Sequence, residues 1–354
     1  MVVGQAVAYG TAYICFRLDH HSGWRWMLGL GAGPALLQFL LFLSLPESPR
    51  FLISLGEYNL PQARQVLMRL RGATEDSLVN EELNAIHQTV KADQQDNTSM
   101  CEVLSRMLSH PGVRNALCTG ILLQVFQQLI GINAIMYYSS IIFEDLNSDV
   151  DPASDEGQEL DLLYSLLVAT VGMTASIASL WIVDNIGRRV LLLASTLISL
   201  LALVWVAIAF SISASPILTV LGICLYVMAF QCGLGPLPWT LNAEFYPLWA
   251  RPVGTGISTV VNWIMTLVVS VSFLSMREVL GQNGVFAFYS GWAVLSGTFF
   301  YFRVPETKGH SLETLQYVFN RIAEKGYYQH HEEHLYNDAN RVVASDDEDD
   351  VHTI

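Results

Sequence analysis

Charge is scarce in this chain of 354 residues: Asp, Glu, Lys and Arg make up 14% of it against 52% hydrophobic residues, and the mean hydropathy is +0.38. That balance excludes an ordinary soluble domain and describes an integral membrane protein. Carboxylates are missing from the depth of every long apolar run, so no proton-carrying acid can be read from them. The five cysteines, Cys15, Cys101, Cys118, Cys224 and Cys232, have no metal-ligand spacing and read as small hydrophobes in apolar segments. Nucleophile elbow, phosphate loop and zincin helix are all absent; HHEEH at 330–334 has the wrong His–Glu spacing. Neither enzyme activity nor a cofactor or metal is expected. A basic leader is also lacking, so no cleavable signal peptide is expected.

The charge that is present is concentrated. The formal net charge is −14, yet 144–161 holds eight acids and no base, and 330–354 holds eight acids against Arg341 alone. The acidity therefore belongs to two segments, nucleic acid is excluded as a partner, and DDEDD at 346–350 reads as a solvated tail.

The organising stretch is 117–143, LCTGILLQVFQQLIGINAIMYYSSIIF. It exceeds the ~20 residues that cross a bilayer, but it carries Gln124, Gln127, Gln128 and Asn133. Amides inside a membrane either join neighbouring helices or line a polar cavity, where each is donor and acceptor at once and suits a polyhydroxylated solute. On an ideal helix Gln127 and Asn133 point about 120° apart. They can share a ligand only if the helix is distorted between them, and Gly131 permits that.

Further spans are expected at Val2–Phe16 (partial), Trp24–Leu45, and about 162–183, 190–211, 217–243, 253–276 and 284–303. Between Pro46 and residue 112 lies a polar, mostly helical segment in which Ala63, Val66, Leu67 and Leu70 recur at helical spacing. This predicts an amphipathic helix on the membrane surface or against the bundle. The domains expected are 1–45, the end of an N-terminal helical half; 46–112, a helical loop; 113–304, a six-helix half; and 305–354, an acidic tail. Alternate loops carry Lys and Arg in the ratio fifteen to three, which places 46–112 and the C-terminus in the cytoplasm. The span at 217–243 contains QCGLGPLPW, with Gly233, Gly235, Pro236 and Pro238. Backbone groups freed by such a break are tolerated at membrane depth only against protein or a water-filled cavity. Trp239 follows the break, and Asn262 with Trp263 repeats the pairing of amide and indole.

PESPR (46–50), QQLIGIN (127–133) followed by Tyr137 and Tyr138, DNIGRR (184–189), GPLPW (235–239), AEFYPLWAR (243–251) and VPETKG (304–309) occur in this order. Together they resemble the sugar porter family of the major facilitator superfamily up to about residue 325. GQAVAYG and PWTLNAEFYPLWAR are most similar to its myo-inositol branch, which includes proton-coupled members. The resemblance implies an all-α integral membrane protein with the major facilitator fold, lacking the first four of twelve helices and starting inside the fifth. It also implies alternating-access transport of a polyol or sugar, most similar to myo-inositol transport, with a hexose carrier or a non-transporting sensor or isoform as alternatives. A small solute, the lipid bilayer and, in the proton-coupled members, protons are the implied partners. Gln5, Gln127, Gln128, Asn133, Trp239 and Asn262 match substrate-binding positions; Tyr137, Tyr138, Gly235 and Pro236 match gating positions. Asp184, Arg188, Arg189, Glu244 and Arg251 match an intracellular salt-bridge cluster. Gly172 stands where the family usually has a substrate-binding asparagine. The plasma membrane is the family's usual address.

Overall fold

A computed structural model describes residues 2–18, 22–72, 76–95, 99–144, 154–310 and 312–325. Among them all regular structure is helical. The helices group into two compact units, Arg25–Glu102 and a larger one made of Met1–Trp24 with Val103–Ile354. These units cut across the 1–45 and 46–112 segments expected from the sequence.

The larger unit begins with α1 (Val2–Leu18). Helix α8 (Pro111–Leu129) then runs into a turn at Gly131, followed by α9 (Ile132–Tyr137) and α10 (Ser139–Glu144). Next come α11 (Asp155–Ile186) and α12 (Arg188–Ser211). Helix α13 (Pro216–Ala229) continues through a π turn at Phe230–Leu234 into α14 (Leu237–Glu244). Helix α15 (Arg251–Arg303) and the amphipathic α16 (Leu312–Lys325) complete the unit. At 53 residues α15 is about 80 Å long at 1.5 Å per residue, more than twice the ~30 Å of hydrocarbon. It turns at Gly281, whose φ of 71° lies outside helical values, and so supplies the two spans expected at 253–276 and 284–303. The described residues contain six helices of membrane-crossing length and apolarity, α15 counted once. The chain is a multi-pass integral membrane protein.

Bulky side chains fill the bundle where α8, α12 and α15 meet. Phe126 lies 5.0 Å from Phe299 between ring centroids, and Phe210 stacks on Phe286 at 5.5 Å. Helix α1 packs on α11. Its Tyr9 hydroxyl donates to the Met136 carbonyl at 2.8 Å and lies 3.1 Å from Ser139 Oγ, which itself lies 3.0 Å from Ser165 Oγ. These bonds tie α1 to the segment after the Gly131 turn.

The smaller unit contains α2 (Gly23–Leu30, begun at the unit boundary), α3 (Ala32–Phe42), α4 (Pro49–Ser54), α5 (Leu60–Arg71), α6 (Asp76–Gln95) and the start of α7 (Met100–Ser109). The amphipathic helix read at 63–71 is present as α5. Its apolar face packs inside this unit: Ala63, Val66 and Leu67 join Leu52, Ile53, Val79, Leu83 and Val90, while Leu70 stays exposed. Arg71 closes α5 onto α6 by donating to both oxygens of Glu82, at 2.6 and 3.1 Å. That bidentate bond holds the Glu82 carboxyl below its usual range.

Candidate functional site

Two interrupted helices shape the site. The first is α8–α9. Gly131 takes φ 91°, a left-handed conformation, and a Cβ there would sit 2.7 Å from the Tyr289 ring, so both backbone and packing require glycine. The turn rotates α9 and brings Asn133 to Gln128, whose Oε1 accepts from Asn133 Nδ2 at 2.6 Å. The distortion that the 120° mismatch demanded is therefore present. The carbonyl of Ile130, left without a helical partner, accepts from the Tyr226 hydroxyl at 3.1 Å.

The second is α13–α14. The π turn is closed by the Gly235 N–H donating to Phe230 O at 2.7 Å. Pro236 has no N–H, so Cys232 O loses its i+4 donor; Ser179 Oγ on α11 donates to it instead, at 2.8 Å. Pro238 likewise frees Leu234 O, and Trp239 N–H reaches back to Pro236 O rather than Gly235 O. Gln127 Nε2 on α8 donates to both abandoned carbonyls, Leu234 O at 2.8 Å and Gly235 O at 3.0 Å. On the far side the Leu234 N–H donates to Ser195 Oγ of α12 at 2.9 Å.

Between these breaks lies a cavity of about 480 Å³, within the ~300–1,000 Å³ of small-molecule sites. The structure brings all six expected binding residues to its wall, Gln5 from α1, Gln127 and Gln128 from α8, Asn133 from α9, Trp239 from α14 and Asn262 from α15, together with Tyr137, Gly235 and Pro236. Asn262 Nδ2 donates to Gln124 Oε1 and Gln127 Oε1, at 2.8 and 2.9 Å. Asn133 Nδ2 also approaches Thr266 Oγ1, at 3.4 Å. After these bonds Gln128 Nε2, Asn133 Oδ1 and Asn262 Oδ1 are left for a ligand, donor and acceptors together. Trp239 is 41% exposed and offers a ring face.

Sequence reasoning missed Ser176, Gln231 and Thr266, which also line the cavity. Gln231 Oε1 accepts from Ser176 Oγ at 3.4 Å. Gly172 is buried behind the cavity wall, where a Cβ would meet Val227 at 3.1 Å and the lining residues Val2 and Gln231 at 3.5 and 3.8 Å. Tyr138 is turned away from the cavity: its hydroxyl donates to Ser270 O at 3.1 Å and its ring stacks on Phe273 at 4.9 Å.

The expected charge cluster is assembled only in part. Arg188 Nε lies 3.7 Å from Glu244 Oε1. Arg251 makes no ion pair among the described residues, and its Nε is buried without an acceptor. The Asp184 side chain lies outside the described residues. The carboxylate that organises this corner is Glu306 of VPETKG, missed as a site residue. Its two oxygens accept from the backbone N–H of Arg188 at 2.9 Å and Arg189 at 3.0 Å, at the positive start of α12.

Broken helices around a neutral polar cavity at membrane depth define a solute-carrier architecture. The comparisons agree. The family model described as "Sugar (and other) transporter" matches residues 1–319, and the chain belongs to this family, whose members are transporters and not enzymes. The human proton myo-inositol cotransporter is 32% identical over 88% of this chain and 60% of its own length. Myo-inositol transporter 2 of Schizosaccharomyces pombe is 30% identical over 92% of this chain and 58% of its own. The inward-open Escherichia coli xylose transporter XylE superposes with a TM-score of 0.71 at 26% identity, over 90% of this chain and 63% of its own. The chain thus spans about three-fifths of the relatives it matches.

Proposed function

We propose that this chain forms the solute-binding part of a polyol or sugar carrier working by alternating access, with myo-inositol as its solute. The observation that carries the reading is the set of neutral donors and acceptors left unspent at the cavity wall beside an exposed indole. Ring hydroxyls are met by Gln128 Nε2, Asn133 Oδ1, Asn262 Oδ1 and Gln5, and the apolar ring face by Trp239. The described lining contains no carboxylate, so recognition rests on neutral hydrogen bonds. The two relatives named for myo-inositol support this solute over a hexose. Tyr137, 52% exposed at the cavity wall, is assigned to the gate; Gly235 and Pro236 are its flexible break.

The same reading places residues 46–112 and the C-terminus in the cytoplasm of a plasma-membrane protein, from the fifteen-to-three distribution of basic residues. Arg188, Arg189, Glu244 and Glu306 then sit on the inner face, where their contacts hold one conformer and separate in the other. Equilibrium binding of labelled myo-inositol, with glucose as competitor, tests the proposal. Saturable binding displaced weakly by glucose is expected; preference for glucose, or no saturable binding of either, overturns it.

A further inference from the structure

Apart from Thr11, the polar side chains of α1 fall at every fourth position: Gln5, Tyr9, Tyr13 and Arg17. Residues four apart share one ridge of a helix, and a polar ridge on an otherwise apolar membrane helix has to meet partners. Helix α11 runs antiparallel beside it, with Val2 near Gly172, Gly10 near Leu166 and Arg17 bonded to Glu159. The Tyr9 hydroxyl is held by Met136 O and Ser139 Oγ, with Ser165 of α11 behind them. One turn on, the Tyr13 hydroxyl donates to Glu159 Oε1 at 3.1 Å. Another turn on, Arg17 Nε donates to that same oxygen at 2.7 Å, and the guanidinium carbon lies 5.5 Å from the centroid of the Tyr13 ring. Val3, Val7, Ile14 and Leu18, on the other side of α1, are exposed.

Both ends of this seam have a definite place. Gln5 and Met136 line the cavity, whereas Arg17 is exposed at the helix end. At 1.5 Å per residue Gln5 and Arg17 stand about 18 Å apart, more than half of the ~30 Å of hydrocarbon. We infer that the seam is the barrier that closes the cavity on the Arg17 side, with Tyr9, Tyr13 and Arg17 as its rungs and Glu159 as its lock. One carboxylate oxygen takes both outer rungs, so losing Glu159 undoes the two together. The rungs are ordered by depth. Neutral hydroxyls lie beside the cavity, and the one ion pair lies at the rim, where the Arg17 side chain is 62% exposed. An ion pair in contact with water adds little to the stability of a fold, so cutting it opens the route without unfolding the protein.

The purpose of this seal rests on the carrier reading above; its existence does not, and the experiment separates them. The full chain is expressed with its five cysteines replaced by serine and with one reporter, Ser176→Cys, at the cavity wall. Intact cells are treated with a membrane-impermeant thiol reagent. A separate Leu18→Cys chain shows which side of the membrane the Arg17 end occupies; if it is not labelled from outside, inside-out vesicles replace the cells. Glu159→Ala is expected to speed labelling of the reporter about tenfold, the effect of two lost hydrogen bonds on a local opening. Arg17→Ala takes its place if that variant does not fold. Arg17→Glu should also speed labelling, and joining it to Glu159→Arg should return the rate to within about threefold of the parent. Val7→Thr, on the exposed face of α1, should leave the rate unchanged. An unchanged rate in Glu159→Ala, no recovery in the charge swap, or equal acceleration in Val7→Thr overturns the seal. Labelling is then repeated in excess myo-inositol, which is expected to protect the reporter. A seam-dependent rate without protection leaves the seal standing and overturns the solute.

Discussion

The two helix breaks that border the cavity are made by different chemistry. At Gly131 the chain turns through one left-handed residue, the Tyr289 ring occupies the space a side chain would need, and a single freed carbonyl is met by Tyr226. At 230–238 a π turn and two prolines abandon several carbonyls, which are met by side chains from α8 and α11, while α12 takes an N–H. The first break is fixed by packing and backbone conformation. The second is held by exchangeable hydrogen bonds, two of them made by a residue on the cavity wall. The Gly131 break is therefore the more rigid of the two.

The largest effect should come from attacking the Gly131 break. Gly131→Ala combines a left-handed strain of about 1–2 kcal/mol with overpacking of about 1–3 kcal/mol. A loss of about 2–5 kcal/mol in thermal or denaturant unfolding is expected, and adding Tyr289→Ala should return only the packing share. Next, Gln128→Ala or Asn133→Ala removes groups facing the solute. Binding should weaken by about 10- to 100-fold, at about 1.4 kcal/mol per tenfold, in an equilibrium measurement with little change in stability. Tyr226→Phe leaves Ile130 O unpaired and should cost about 1–2 kcal/mol in unfolding without altering solute affinity, marking the Gly131 break as structural. The smallest effect lies away from both breaks. Glu306→Gln keeps an oxygen for the α12 N–H groups but removes the charge, and should cost about 0.3–1 kcal/mol, read as increased cysteine-labelling access at the start of α12.

The helices were largely legible because span length, apolar runs and proline positions are local properties. So was the distortion at Gly131, since amides about 120° apart on an ideal helix cannot converge without one. Spacing could not tell which amide meets a ligand and which meets a neighbour. Gln127 and Gln128 are adjacent and identical and both line the cavity, and only the location of Leu234 O and Gly235 O shows that Gln127 spends its amide nitrogen on the break while that of Gln128 is left over. Tyr137 and Tyr138 divide in the same way: one lines the cavity while the other is stacked on Phe273. The α5 stripe announced an apolar face but not its partners, which include α4 and α6. Glu306 went unread because its acceptors' partners are backbone N–H groups more than a hundred residues away. A clue did exist in VPETKG, where an acid follows a helix end on the side rich in basic residues.

The central claim is that the cavity between the two breaks holds a polyol through Gln128, Asn133 and Asn262. Its most direct test is equilibrium binding of labelled myo-inositol to the purified chain in nanodiscs, parent beside Asn133→Ala. Saturable binding that weakens at least about tenfold in the variant, near 1.4 kcal/mol, is the predicted result. Saturable binding of unchanged affinity in Asn133→Ala would contradict the account.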